Sequence, residues 1–104
     1  HPAKYLSGKK GVKKQLSPVN LVHSIDICRL VGVLCEMENY SGIINVCSPV
    51  HPQKGVYYNW ATDRLGLPNP SFELEDKSSG KIVTSVELPN LDFNFDYPSP
   101  YDYL

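Results

Sequence analysis

The sequence predicts an α+β fold, two main helices with a few short strands, in a single small domain spanning 1–104. Three observations predict it. A nearly continuous apolar run fills 25–37 behind a capping Ser24. Pro52 and Gly66 frame a second amphipathic stretch. Several short segments rich in β-branched or aromatic residues alternate between turn signals.

Residues 1–18 are polar, basic and interrupted by Gly8 and Gly11, and read as a loop. The next block, 19–66, reads as strand, helix, strand, helix. Val19, Leu21 and His23 alternate with Asn20 and Val22, as in a short strand. Ser24 suits an N-cap, and Asp26 would complement the helix dipole in the first turn. The helix over 25–37 leaves almost no polar face, so it is expected to be buried on most sides, with Arg29 and Glu36 as its exits. Gly42-Ile43-Ile44-Asn45-Val46-Cys47 is apolar on both faces, the pattern of a buried parallel strand. A second helix is expected over 52–65, with Val56, Tyr57, Trp60, Ala61 and Leu65 inward and Gln53, Lys54, Asn59, Asp63 and Arg64 outward. The last block, 67–104, is expected to hold short strands at 71–75 and 81–85. It closes on an acidic and aromatic tail with its aromatic side packed inward.

Composition narrows the functional classes. The net charge is -1, so no global field draws the chain to nucleic acid or anionic lipid. Lys4, Lys9, Lys10, Lys13 and Lys14 crowd the start, but glycines interrupt them and no aromatic ladder accompanies them, so they read as a solvated arm. Cys28, Cys35 and Cys47 are odd in number and form no C-x-x-C pair, which argues for a reducing, cytoplasmic setting. No apolar run is long enough to span a bilayer. The chain begins at His1 and its only methionine is Met37, so it reads as part of a longer product.

The order of motifs resembles the C-terminal, substrate-side part of extended short-chain dehydrogenases/reductases, the NAD-dependent epimerase/dehydratase group. That family carries an N-x-I/V-H-x-x-D stretch entering a buried helix, here Asn20-Leu21-Val22-His23-Ser24-Ile25-Asp26. A G-x-x-N-V strand follows, here Gly42-Ile43-Ile44-Asn45-Val46. Then comes a P-x-x-x-x-Y helix ending in L-G-L-P, here Pro52 to Tyr57 and Leu65-Gly66-Leu67-Pro68. Ser79-Gly80-Lys81-Ile82-Val83 and Tyr97-Pro98-Ser99-Pro100-Tyr101 are similar to the ends of its short, sugar-epimerase-like branch. The resemblance implies that this is the C-terminal portion of a Rossmann-type α/β enzyme. It implies NAD or NADP in the intact parent, a missing N-terminal dinucleotide-binding half and a small-molecule substrate such as a nucleotide sugar. Without that half, the apolar 42–46 strand and the 25–37 helix would lose cover, so a homo-oligomer is expected.

The chain departs from that family where chemistry is concerned. It has no glycine-rich phosphate turn, so no cofactor is expected in this fragment alone. Tyr5 and Lys9 meet the spacing Tyr-x-x-x-Lys, but they sit in a glycine-containing loop, and no catalytic residue is assigned. His23 and Asp26, at the strand-to-helix junction, and His51, at the next, are substrate-binding candidates. For each, a structural role at the helix start is the competing reading. Tyr58 is the fourth candidate, as an exposed aromatic contact beside a buried Tyr57 and Trp60. His23, His51 and Cys47 lack paired spacing, so no metal is expected. The competing function is a stand-alone binding or protein-interaction module without enzymatic activity.

Overall fold

In the computed structural model the described residues form three α-helices, α1 (Ala3–Leu6), α2 (Ser24–Cys35) and α3 (Lys54–Arg64), and two short 3-10 turns at Leu88–Leu91 and Pro100–Tyr103. The structure describes residues 1–86 and 88–104; Glu87, in the acidic C-terminal part, lies outside the described residues. The chain divides into two compact units. One comprises His1–Val19 and Pro52–Ile82, with Leu104; the other comprises Asn20–His51 and Val83–Tyr103.

In the first unit, α1 replaces part of the expected loop. Pro2 stands at its N-cap with φ -55, already the helical value that its ring imposes. Ala3 is fully buried and α1 packs on α3. Four residues are too few for a hydrophobic period to announce them in the sequence. α3 is shorter than the expected 52–65: Gln53 is the N-cap and Leu65 the C-cap. Gly66 follows with φ +68, the left-handed turn that ends a helix at low cost only for glycine.

The buried face of α3 is rotated from the one expected. Tyr57, Tyr58, Ala61 and Thr62 are buried, whereas Val56 is exposed. These four positions repeat at i, i+1, i+4 and i+5, a contiguous helical stripe from which Val56 is excluded. His1 contributes to fixing it, with Nε2 2.8 Å from the Tyr57 hydroxyl.

The expected strands do not form as ladders. Among the described residues only isolated bridges occur: Val12 with Phe72 in parallel, and Pro18 with Gln53 antiparallel. The 71–75 segment has one true pairing, Val12 N donating to Ser71 O and Glu73 N to Val12 O, both at 3.0 Å. The 81–85 segment bonds otherwise, as where Val83 N donates to the Asn20 side chain at 2.8 Å. A strand needs a neighbour with matching donors and acceptors, and these segments meet turns and side chains instead.

The second unit is built on α2. His23, not Ser24, caps it: its Nδ1 accepts the N–H of Ile25 at 3.1 Å. The expectation of a helix buried on most sides is corrected. Within α2 only Asp26 and Leu30 are buried, and Val31 is 52% exposed. Leu30, Leu88 and Phe93 form the core, with Val33, Leu34, Ile44, Val46, Leu91 and Phe95 packed against it. That cluster covers one face of α2, and the opposite face, with Ile25 and Cys28, meets solvent.

The 42–47 segment is likewise covered on one side. Ile44 and Val46 face the core while Ile43 is 90% exposed, so it is not the doubly buried strand its sequence suggested. Cys47 N donates to Ser85 Oγ and Ser48 N to Leu21 O, each at 2.8 Å, which satisfies its end without a ladder. The tail packs as expected: Phe93 is buried, Phe95 half-buried, and Asp92, Asn94 and Asp96 point outward. No described helix is long and apolar enough to cross a membrane.

Candidate functional site

A carboxylate inside an apolar helix is the starting point. Asp26 has no solvent exposure, so its charge must be met by hydrogen bonds. The tail supplies them: Asp96 N donates to Oδ1 at 2.8 Å and Tyr97 N donates to Oδ2 at 3.0 Å. Arg29, one turn along α2, donates to Oδ1 at 3.1 Å. The same guanidinium reaches Asn94 O at 2.9 Å and the Asp96 carboxylate at 3.3 Å, and lies over the Phe93 ring. α2 therefore grips the tail through one acid and one base.

A second set of contacts flanks this grip. The His23 ring stacks on Tyr97 at 4.0 Å between centroids and meets the edge of Tyr103. Ser48, fully buried, donates to Tyr97 O at 3.1 Å and bonds the Tyr103 hydroxyl. Burial pushes the Tyr103 phenol above its ordinary range, against the opposing hydrogen bond from Ser48.

Beside the tail lies a groove of about 450 Å³. Its walls are Cys47 and His51 on one loop, Thr84 and Ser85 on another, and Phe93, Phe95 and Pro98 from the tail. The lining is mostly apolar with a few polar groups, the usual composition of a small-molecule site. Cys47 is buried there; its Sγ donates to Leu21 O at 3.5 Å, and burial pushes its thiol up. A protonated, buried thiol of this kind is not an activated nucleophile.

The four candidates from the sequence separate on this geometry. His51 lines the groove. His23 and Asp26 come together at the start of α2, but each is engaged within the chain, as cap and as tail anchor. Tyr58 belongs to the other unit, and there its ring is buried in α3's inner face, with its phenol pushed up by that burial. The expectation of an exposed Tyr58 is thus corrected: it shares the buried stripe with Tyr57.

The chain matches a bacterial protein over nearly its whole length. Protein YeeZ of Escherichia coli strain K12 is 33% identical over 102 residues, which is 96% of this chain and 37% of YeeZ. Protein YeeZ of the O157:H7 strain matches to the same extent. The chain thus spans little more than a third of the length of these relatives. No family model matches, and no solved structure matches.

Sequence reasoning missed the Asp26 grip, Ser48 and Tyr103. The available signal was Asp26 itself, since an acid in an otherwise apolar helix needs buried partners. Tyr5 and Lys9 do meet, with Lys9 Nζ 3.2 Å from the centre of the Tyr5 ring. Lys9 lowers the Tyr5 phenol through a hydrogen bond and its charge, but the pair stands in solvent. Among the described residues, no three His, Cys, Asp or Glu side chains converge as metal ligands.

Proposed function

We propose that this chain is the substrate-binding, C-terminal part of a larger NAD(P)-dependent epimerase, dehydratase or reductase, and is not catalytic alone. In this reading the rest of the protein supplies the glycine-rich half that holds NAD or NADP, together with the proton-transfer groups. The groove holds a small-molecule substrate of the nucleotide-sugar class, with His51, Thr84 and Ser85 as its polar contacts.

The observation that carries the reading is the groove itself. The loop from Cys47 to His51, one of the two junctions that the family resemblance puts beside a substrate cleft, lines a ligand-sized groove. The second junction, at His23 and Asp26, holds the tail that forms another wall of that groove. The 37% coverage of YeeZ is consistent with a chain that works as part of something longer. Exposed Ile43 and Val31 offer apolar surface for that remaining protein, or for a second copy in an oligomer.

The test is an amide-shift titration of the 104-residue chain with UDP-glucose, UDP-galactose, NADH and NADPH. Saturable shifts from a UDP-sugar at Cys47, His51 and Ser85, reduced in His51→Ala, are expected, with no response to either dinucleotide. Saturable NADH or NADPH binding, or a groove unmoved by either sugar nucleotide, would overturn the reading; the second result would favour a stand-alone module.

A further inference from the structure

From Asn39 to Val50 the chain carries no charged residue. Within that stretch exposure alternates: Ile43 and Asn45 are exposed, while Ile44 and Val46 are half-buried against the core. Such a period of two belongs to an extended strand with one face packed. Yet among the described residues no hydrogen bond reaches the backbone of 43–46, and no bridge forms there. The first bond beyond it is made by Cys47 N, to the Ser85 side chain. An apolar groove of about 360 Å³ runs beside the segment, with Val31 and Leu34 of α2 on one wall and Tyr40, Ile44 and Val46 on the other. Segment, groove and α2 all lie in the same compact unit.

We infer that residues 42–46 are a strand-pairing edge, and that its occupant is the same segment of a second copy of this chain. A row of N–H and C=O groups at strand spacing is matched only by another extended backbone, so the edge fits a polypeptide strand and not a small molecule. Sheet edges that must stay unpaired are usually guarded by a charge or a proline. Neither stands between Asn39 and Ser48, so nothing repels an identical strand. The segment is also its own complement. Ile43, 90% exposed, is an apolar side chain without cover, and the groove beside it is apolar space without an occupant. In an antiparallel pair about a two-fold axis, directly opposed side chains share a face. Setting Ile44 opposite itself places Ile43 opposite Asn45 of the second copy, and it continues the inward face of Ile44 and Val46 across both copies. A slip of one residue would oppose inward and outward faces, so the pattern selects the register. The edge shares no residue with the groove at Cys47 and His51, so this inference and the substrate reading stand or fall separately.

The test joins sedimentation with amide hydrogen exchange on the 104-residue chain, both over a dilution series and in the presence of a reductant, so that exposed Cys28 and Cys35 cannot cross-link copies. The chain is expected to pass from monomer to dimer as its concentration rises. Over the same range, exchange within 43–46 is expected to slow at every second residue, because an antiparallel strand aims alternate amides at its neighbour. Asn45→Lys adds a charge at an exposed position on the edge, leaves Ile43 in place and should not disturb the fold. It is expected to shift sedimentation to the monomer and to abolish the concentration-dependent protection. A chain that stays monomeric throughout would overturn the inference. So would a dimer whose 43–46 amides remain unprotected, or one that Asn45→Lys leaves intact, because the copies would then meet through another face.

Discussion

The carboxylate of Asp26, without solvent exposure, accepts the backbone N–H of Tyr97 at 3.0 Å across 71 residues of chain. It is the point at which the start of α2 and the C-terminal tail become one structure. Removing it leaves the backbone donors of Asp96 and Tyr97 without that acceptor. Asp26→Ala is therefore expected to cost about 2–5 kcal/mol in urea unfolding. A loss below about 0.5 kcal/mol, the size of a neutral surface change, would show that water replaces the carboxylate without penalty.

The two sides of α2 should respond differently to truncation. Leu30 is 3% exposed within the core of its unit, whereas Val31 beside it is 52% exposed. Leu30→Ala is expected to cost about 2–5 kcal/mol and Val31→Ala less than about 0.5 kcal/mol. Denaturant unfolding of the two variants checks the contrast, and equal losses would mean that the outer face of α2 is covered in solution.

Acid titration should single out Asp76. Hydrogen bonds from the Ser78 hydroxyl and amide, and from Lys14 N, hold its carboxyl down to about 2. A depressed pKa means that its bonds support the folded turn at and above the ordinary carboxylate range, and are lost as pH falls through about 2. The Lys14 and Ser78 amide shifts should move together with that midpoint, and Asp76→Asn should abolish the step. A midpoint near the ordinary value of about 3.9 would contradict the turn geometry.

At the alkaline end, burial raises the phenols of Tyr58 and Tyr103. A raised pKa means that the folded state prefers the neutral phenol. The support is complete below the ordinary tyrosine range and is lost as pH rises through it toward the higher folded values. Spectrophotometric titration should show a late-ionising class that shrinks in Tyr103→Phe. If every tyrosine ionised together while the fold persisted, these burials would be in error.

Ile43 is 90% exposed on a segment whose neighbours Ile44 and Val46 are partly buried against the core. The isolated chain is expected to self-associate at micromolar concentration, with Ile43→Lys shifting light scattering toward the monomer. A clean monomer in the unsubstituted chain would show that this apolar surface is tolerated, and would favour a module that stands alone.

Two helices, their approximate places and the packed aromatic side of the tail were legible in the sequence. They follow from local rules: an apolar run after a cap-competent residue, Gly66 at a left-handed helix stop, and alternation of Phe93 and Phe95 with acids and asparagine. The Cys47–His51 loop was legible as a junction, and His51 does line the groove. What local patterns could not determine was which apolar residues would find cover. Ile43 and Ile44 read alike, yet only the core around Leu30 decides that one is packed and the other exposed. Strand propensity at 42–47 and 81–85 could not become a sheet, because pairing depends on a neighbour that the segment itself does not encode. The role of Asp26 also belongs to tertiary structure. Its place in the first helical turn fits a dipole interaction, but a carboxylate is fully satisfied only by the donors that surround it. Here those donors come from Asp96, Tyr97 and Arg29, two of them from the far end of the chain.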